Sequence, residues 1–170
     1  NPNNNKFTRY SLPYTKAKES ISKVSTYSNV LLFSSKSGDF YALDEQTIFK
    51  FNYLLNQFEV LPIPVANQNF IPRKIIEDID NTWWLATSIG IIHIDLNTGI
   101  LQKDALNAIN NKFFKNDQLY CLMQHDEDRI WIGSGNNGLF LFNKKKMQIE
   151  ANYTEKDGMS NNFVYGILKD

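Results

Sequence analysis

The sequence predicts an all-β chain, a partial β-propeller of about three four-stranded antiparallel blades truncated at both ends. Three observations predict it. A tryptophan-containing segment recurs at a fixed spacing, each copy is followed by a glycine turn into an apolar strand, and each is preceded by an apolar run that ends in acidic turn residues. A period of roughly 40 to 50 residues is the mark of propeller blades and solenoids.

Taken along the chain, Lys6 to Pro13, with Phe7 and Tyr10, reads as the outer strand of a preceding blade. The first blade is expected over residues 20–62. Its Leu32-Phe33-Ser34-Ser35 and Phe40-Tyr41-Ala42-Leu43-Asp44 align without gaps on Trp131 to Ser134 and Leu139 to Asn143, with Leu32 in place of the tryptophan. The second blade, 73–104, opens with Ile75 to Asp80, continues through Trp84-Leu85-Ala86-Thr87, and turns at Gly90 into Ile91-Ile92-His93-Ile94-Asp95. The third, 118–154, opens with Leu119 to Asp126, continues through Ile130-Trp131-Ile132-Gly133-Ser134, and turns at Gly138 into Leu139-Phe140-Leu141-Phe142-Asn143. Trp84 and Trp131 are 131 − 84 = 47 residues apart, and Gly90 and Gly138 are 48 apart. Residues 163–170 read as the start of a further blade.

Local chemistry supports four strands per unit. The lead-ins are apolar and β-branched, as an innermost strand covered on both faces requires. Glycine supplies the positive φ of a tight hairpin. The closing segments, Gly99 to Lys103 and Gln148 to Tyr153, are more polar, as outer edge strands should be. One helix-like stretch, Ala105 to Phe114, separates the second and third units.

Composition narrows the class of function. The 170 residues are 42% hydrophobic and 14% aromatic, enough for a sizeable core. Lys plus Arg and Asp plus Glu both number 18, so no net field gathers nucleic acid. The longest apolar stretches fall far short of the ~20 residues that cross a bilayer. The first residues, Asn1-Pro2-Asn3-Asn4-Asn5, carry no signal-peptide pattern, and the single Cys121 excludes an internal disulfide.

The run Asp128-Arg129-Ile130-Trp131-Ile132-Gly133-Ser134, then Gly138-Leu139-Phe140-Leu141-Phe142-Asn143, Tyr153 and Asp157-Gly158-Met159-Ser160-Asn161-Asn162-Phe163-Val164, resembles the two-component regulator propeller repeat. Met159, Ser134 and Asn143 stand where that repeat usually has leucine, threonine and aspartate. The likeness covers Lys74 to Asp170 well and the first third loosely. It implies a propeller in the periplasmic sensor region of a membrane-anchored hybrid sensor histidine kinase, responding to glycan-derived oligosaccharides, with neighbouring blades and a second copy of the protein as partners. The alternative is a protein-interaction scaffold of a cell-surface or secretion assembly, since a fold does not fix a function.

No catalytic set, cofactor site or metal site is expected. His93, among Ile91, Ile92 and Ile94, suits a blade interface, and His125 a solvated turn. The pairs Asp78/Asp80 and Asp126/Asp128 suggest calcium less than capped turns. Lys144-Lys145-Lys146 reads as a solvated loop tip. Trp84 and Trp131 are expected between adjacent blades, so that Trp131→Ala would cost ~3–5 kcal/mol. Trp83 alternates to the opposite face, where it stacks on a sugar ring or covers a blade surface. In an outward-running four-stranded blade, the loop between second and third strands shares a face with the loop that returns to the next inner strand. Arg73, Asn136, Asn137, Asn161 and Asn162 would then line one rim, where amides suit hydroxyl-rich ligands but also serve tight turns.

Overall fold

The computed structural model describes residues 8–13, 30–45, 47–62, 70–78, 81–101 and 103–169. These form three four-stranded antiparallel sheets in which strands follow one another from one edge to the other. The first holds β1 (Leu31–Ser34), β2 (Phe40–Leu43), β3 (Ile48–Asn52) and β4 (Gln57–Leu61). The second holds β5 (Pro72–Glu77), β6 (Thr82–Thr87), β7 (Gly90–Asp95) and β8 (Gly99–Ile100), followed by helix α1 (Lys103–Phe113). The third holds β9 (Leu119–Gln124), β10 (Arg129–Ser134), β11 (Leu139–Asn143) and β12 (Gln148–Tyr153). First strands are neighbours, with β1 against β5 and β5 against β9, so the sheets fan outward from that shared edge.

The second and third sheets follow the expected strand plan, but the first is displaced by one strand. Leu31–Ser34 is its innermost strand, not the counterpart of the tryptophan strand. The backbone N–H of Lys36, in the β1–β2 turn, donates to Glu77 Oε2 at 2.6 Å, and Lys36 Nζ donates to the Glu77 carbonyl at 3.2 Å. Glu77 ends β5, so the β1–β2 turn lies beside the turn that follows another inner strand. The residue equivalent to the tryptophans is therefore Tyr41. On the strand ladders Phe33 opposes Tyr41, Ile76 opposes Trp84, and Met123 opposes Trp131. The similarity of Ser35–Asp39 to Ser134–Gly138 in turn chemistry misaligned the first unit, since both close on a serine N–H.

Two apolar layers lie between the sheets. Between the first and second, Tyr41, Leu43, Ile48, Trp83, Leu85 and Ile94 are buried together. Between the second and third, Trp84 and Ala86 meet Ile130, Ile132, Phe140 and Phe142. Trp84 is 1% exposed. Its indole stacks on His93 at 3.9 Å, meets Phe142 edge-on at 5.4 Å, and donates from Nε1 to Asp78 Oδ2 at 2.9 Å. Trp131, by contrast, is only half-buried, beside His125 and Tyr153 on the far face of the third sheet. Trp84 thus lies in the layer between the second and third sheets, and Trp131 holds the equivalent strand position on the next face.

Lys144 also departs from the expected solvated tip. It is buried, and its ammonium donates to both Asp78 carboxylate oxygens, at 2.7 and 2.9 Å. Asp78 thereby joins the Trp84 indole of one sheet to a lysine of the next.

The second sheet's outer strand is shorter than the expected Gly99 to Lys103, because α1 starts at Lys103. Leu106 and Ile109 turn inward, and Asp104 and Lys112 sit at the helix ends that favour their charges. Where β8 has ended, Asn110 completes the ladder. Its Oδ1 accepts from the Ile91 N–H at 2.9 Å and its Nδ2 donates to the Ile91 carbonyl at 3.0 Å, so one amide replaces a strand residue. Gly90, at φ 113°, leaves the space Asn110 occupies; a Cβ there would lie 2.5 Å from Asn110 Cγ.

Of the expected N-terminal outer strand, residues 6–7 lie outside the described residues and 8–13 form no strand. They cross the outer face of the first sheet, with Tyr10 edge-on to Phe51 at 5.0 Å. Residues 14–29, including the expected start of the first blade, also lie outside the described residues. Residues 163–169 form no strand, yet the Val164 N–H donates to the Ser134 carbonyl at 2.9 Å.

Candidate functional site

The rim is organised by one buried carboxylate. Asp117, 3% exposed, lies in the connection from α1 to β9. Its Oδ1 accepts from the backbone N–H of Gln118 at 2.8 Å and of Gly135 at 3.1 Å, and from Asn136 Nδ2 at 3.2 Å. Its Oδ2 accepts from Asn137 Nδ2 at 2.8 Å. A buried charge is tolerable when so many donors converge on it. The β10–β11 turn is thus fastened to the loop that delivers β9, and the Gly135 N–H donates to the Gln118 carbonyl at 2.9 Å as well.

The next loop joins from the other side. The Gly138 N–H donates to the Asn162 carbonyl at 2.9 Å, and Asn162 Oδ1 accepts from the Glu155 N–H at 2.8 Å. Thr154 opens the intervening 3₁₀ turn with a reciprocal cap, in which Asp157 accepts from the Thr154 N–H at 2.9 Å and the Thr154 hydroxyl accepts from Lys156 N–H. The result is a groove of about 670 Å³ lined by Asn136, Asn137, Asn162, Phe113, Lys112 and Asn152 among others. Asn136, Asn137 and Asn162 therefore share one groove, as expected. Much of their hydrogen-bonding capacity is spent on loop structure. Asn161 points its Oδ1 at the Phe163 N–H, 2.7 Å away, and is an exposed turn residue outside the groove's lining.

Arg73 sits elsewhere, on the inner strand β5. Its Nη2 donates to Gln118 Oε1 at 2.9 Å, and its guanidinium lies 5.1 Å from the centre of the Tyr120 ring. It lines a second groove, of about 570 Å³, between the inner strands and residues 165–169. The Asp117-Gln118 pair links the two grooves: one side chain holds the turn, the next holds the arginine.

Trp83 belongs to neither. It is 0% exposed, edge-on to Phe33 at 5.1 Å and to Tyr41 at 4.8 Å. Strand alternation does turn it away from Trp84, but the face it reaches is the layer between the first and second sheets. No sugar can stack there. Sequence reasoning missed Asp117, Gln118 and Tyr120; an acidic residue two positions before an inner strand was the available signal.

Among the described residues, no helix is long and apolar enough to cross a membrane. Cys121 is buried, its thiol donates to the Val164 carbonyl at 3.5 Å, and burial pushes its pKa up. It is placed for packing.

No family model matches this sequence, and no curated protein does. Solved structures do match in fold, among them extracellular domains of hybrid two-component systems. That of BT4673 from B. thetaiotaomicron matches over 82% of this chain with a TM-score of 0.60 at 18% identity. That of BT3049 from the same organism matches over 79% with a TM-score of 0.58 at 22% identity. This chain spans 18% of the length of each of those domains.

Proposed function

We propose that this chain is a sector of a β-propeller in the extracytoplasmic, ligand-sensing region of a membrane-anchored hybrid two-component protein, and that it binds a glycan-derived oligosaccharide. The observation that carries the reading is the match of its three sheets to the extracellular domains of two such systems over about four-fifths of the chain. The loop architecture supports it. A buried carboxylate fixes an amide-bearing turn on a rigid sheet edge, and function concentrates in loops held in this way. Asn136, Asn137 and Asn162 present mixed donors and acceptors along one groove, and Phe113 supplies an apolar face. The segment binds and transmits without catalysing. Ligand occupancy alters the contact of this sector with neighbouring blades and with a second copy of the protein, and a kinase elsewhere in the protein reads that change.

Calorimetric titration of the protein against oligosaccharides of defined linkage tests the proposal. Saturable heat with at least one member, weakened in Asn136→Ala/Asn162→Ala, is the expected result. A panel without saturable heat, from a protein whose far-ultraviolet spectrum is that of sheet, refutes it.

A further inference from the structure

The inner-strand groove differs in chemistry from the amide rim. Its walls carry Arg73, Lys74 and Lys169, and among the described residues no aspartate or glutamate lines it. Among the described residues, none of these cations has a carboxylate within ion-pair distance, although the chain as a whole balances 18 basic against 18 acidic side chains. Arg73 is the most constrained of them. One nitrogen bonds Gln118 Oε1, the guanidinium lies over Tyr120, and Nε is buried with no hydrogen-bond partner among the described residues. A guanidinium held in place without an anion is a charge left uncompensated in partly desolvated surroundings, and a bidentate oxyanion is its natural complement.

The second component is aromatic. Tyr120 lies 5.7 Å from Tyr165 and 4.9 Å from Phe163, and Phe163 and Tyr165 are near parallel, 12° apart at 6.2 Å. Tyr165 lines the groove beside the cations. An aromatic face takes the apolar side of a sugar ring, and the adjacent cations take an acidic substituent on it.

We infer that the groove formed by Arg73, Lys74, Tyr120 and Tyr165 binds an anionic sugar, a residue bearing a carboxylate or a sulfate, as part of the oligosaccharide ligand. The inference rests on the sensing reading above and narrows it to acidic glycans.

The test is calorimetry with three probes on the intact protein: a uronic-acid tetrasaccharide, a sulfated disaccharide, and the neutral tetrasaccharide in which each uronate is replaced by its parent hexose. Expected is binding of one acidic probe, at least tenfold tighter than the neutral one and weakening steeply between low and high salt. Which acidic probe binds identifies the anion. Lys74→Gln, an exposed change that leaves the strand intact, and Arg73→Gln should each weaken the acidic probe several-fold more than they weaken the neutral one. Equal affinity for acidic and neutral tetrasaccharides, insensitive to both substitutions, overturns this inference while leaving the sensing reading standing. Saturable binding of none of the three, with neutral oligosaccharides of other linkages bound, also overturns it. Absence of binding to every glycan sinks the sensing reading itself.

Discussion

Replacing Trp84 by alanine removes the largest side chain in the layer between the second and third sheets. The indole is 1% exposed, stacked 3.9 Å from His93 at an interplanar angle of 6°, and edge-on to Phe142. Truncating a buried tryptophan costs about 3–5 kcal/mol in transfer and cavity terms. The substitution also removes the N–H that donates to Asp78, a carboxylate that still has the Lys144 ammonium at 2.7 Å. That surviving pair limits the electrostatic part, so the expected total is about 4 kcal/mol, a large share of the 5–15 kcal/mol that holds a typical domain together. Trp131 has the same ladder position in the third sheet but a half-open face in the 170-residue chain by itself, where Trp131→Ala should cost about 1–2 kcal/mol, nearer the average point substitution. Urea denaturation followed by far-ultraviolet circular dichroism, with equal slopes required of the compared proteins, measures both. If Trp131→Ala proves as costly as Trp84→Ala, or if Trp84→Ala costs under 1 kcal/mol, the assignment of the inter-sheet layer is wrong.

Three other outcomes follow from named contacts. Asp117→Ala should destabilise by about 3 kcal/mol, because it strands several donors at once, and should lower hydrogen-exchange protection at Gly135, whose N–H reaches both Asp117 and the Gln118 carbonyl; unchanged protection would count against Asp117 as the organiser of the rim. Gly133→Ala would place a Cβ against Cys121 Sγ and 2.7 Å from the Val164 carbonyl, so residues 163–169 should detach and Cys121 should react with thiol reagents faster than in the parent, an increase that labelling kinetics will show or deny. The Lys50 hydrogen bond holds the Asp39 carboxyl below its ordinary value of 3.8. Because the folded state depresses that pKa, the pair contributes stability above the ordinary value and loses it as pH falls through the lowered one; the same pair raises the Lys50 pKa, so Lys50→Met should flatten the acid limb of a stability-against-pH curve and also remove the loss at alkaline pH that deprotonating Lys50 causes.

The recurrence of Trp84 with Gly90 and Trp131 with Gly138 made the second and third sheets legible, because strand alternation and positive-φ turns are local properties that a short stretch of chain settles by itself. Gly90 and Gly138 do sit at φ 113° and 86°. Outer strand β12 was readable for the same reason, as was α1. The first sheet was misread by one strand because its Ser35–Asp39 turn imitates the turn at Ser134–Gly138, and local pattern cannot tell an inner hairpin from the next one out. Contact between Lys36 and Glu77, residues 41 apart, resolves it.

The site divides in the same way. That Asn136, Asn137 and Asn162 would meet was implied by loop topology alone, since the direction of each strand dictates which turns share a face. That Asp117 holds them, that Lys144 is buried on Asp78, that Arg73 turns into a separate groove over Tyr120, and that Trp83 is sealed between sheets were settled only when the sheets packed. Alone, the sequence determined which segments become strands and where they turn, because those choices depend on side chains a few positions apart. Tertiary structure decided which faces close and which charges meet, because burial and ion pairing depend on distances between residues that the chain order leaves free.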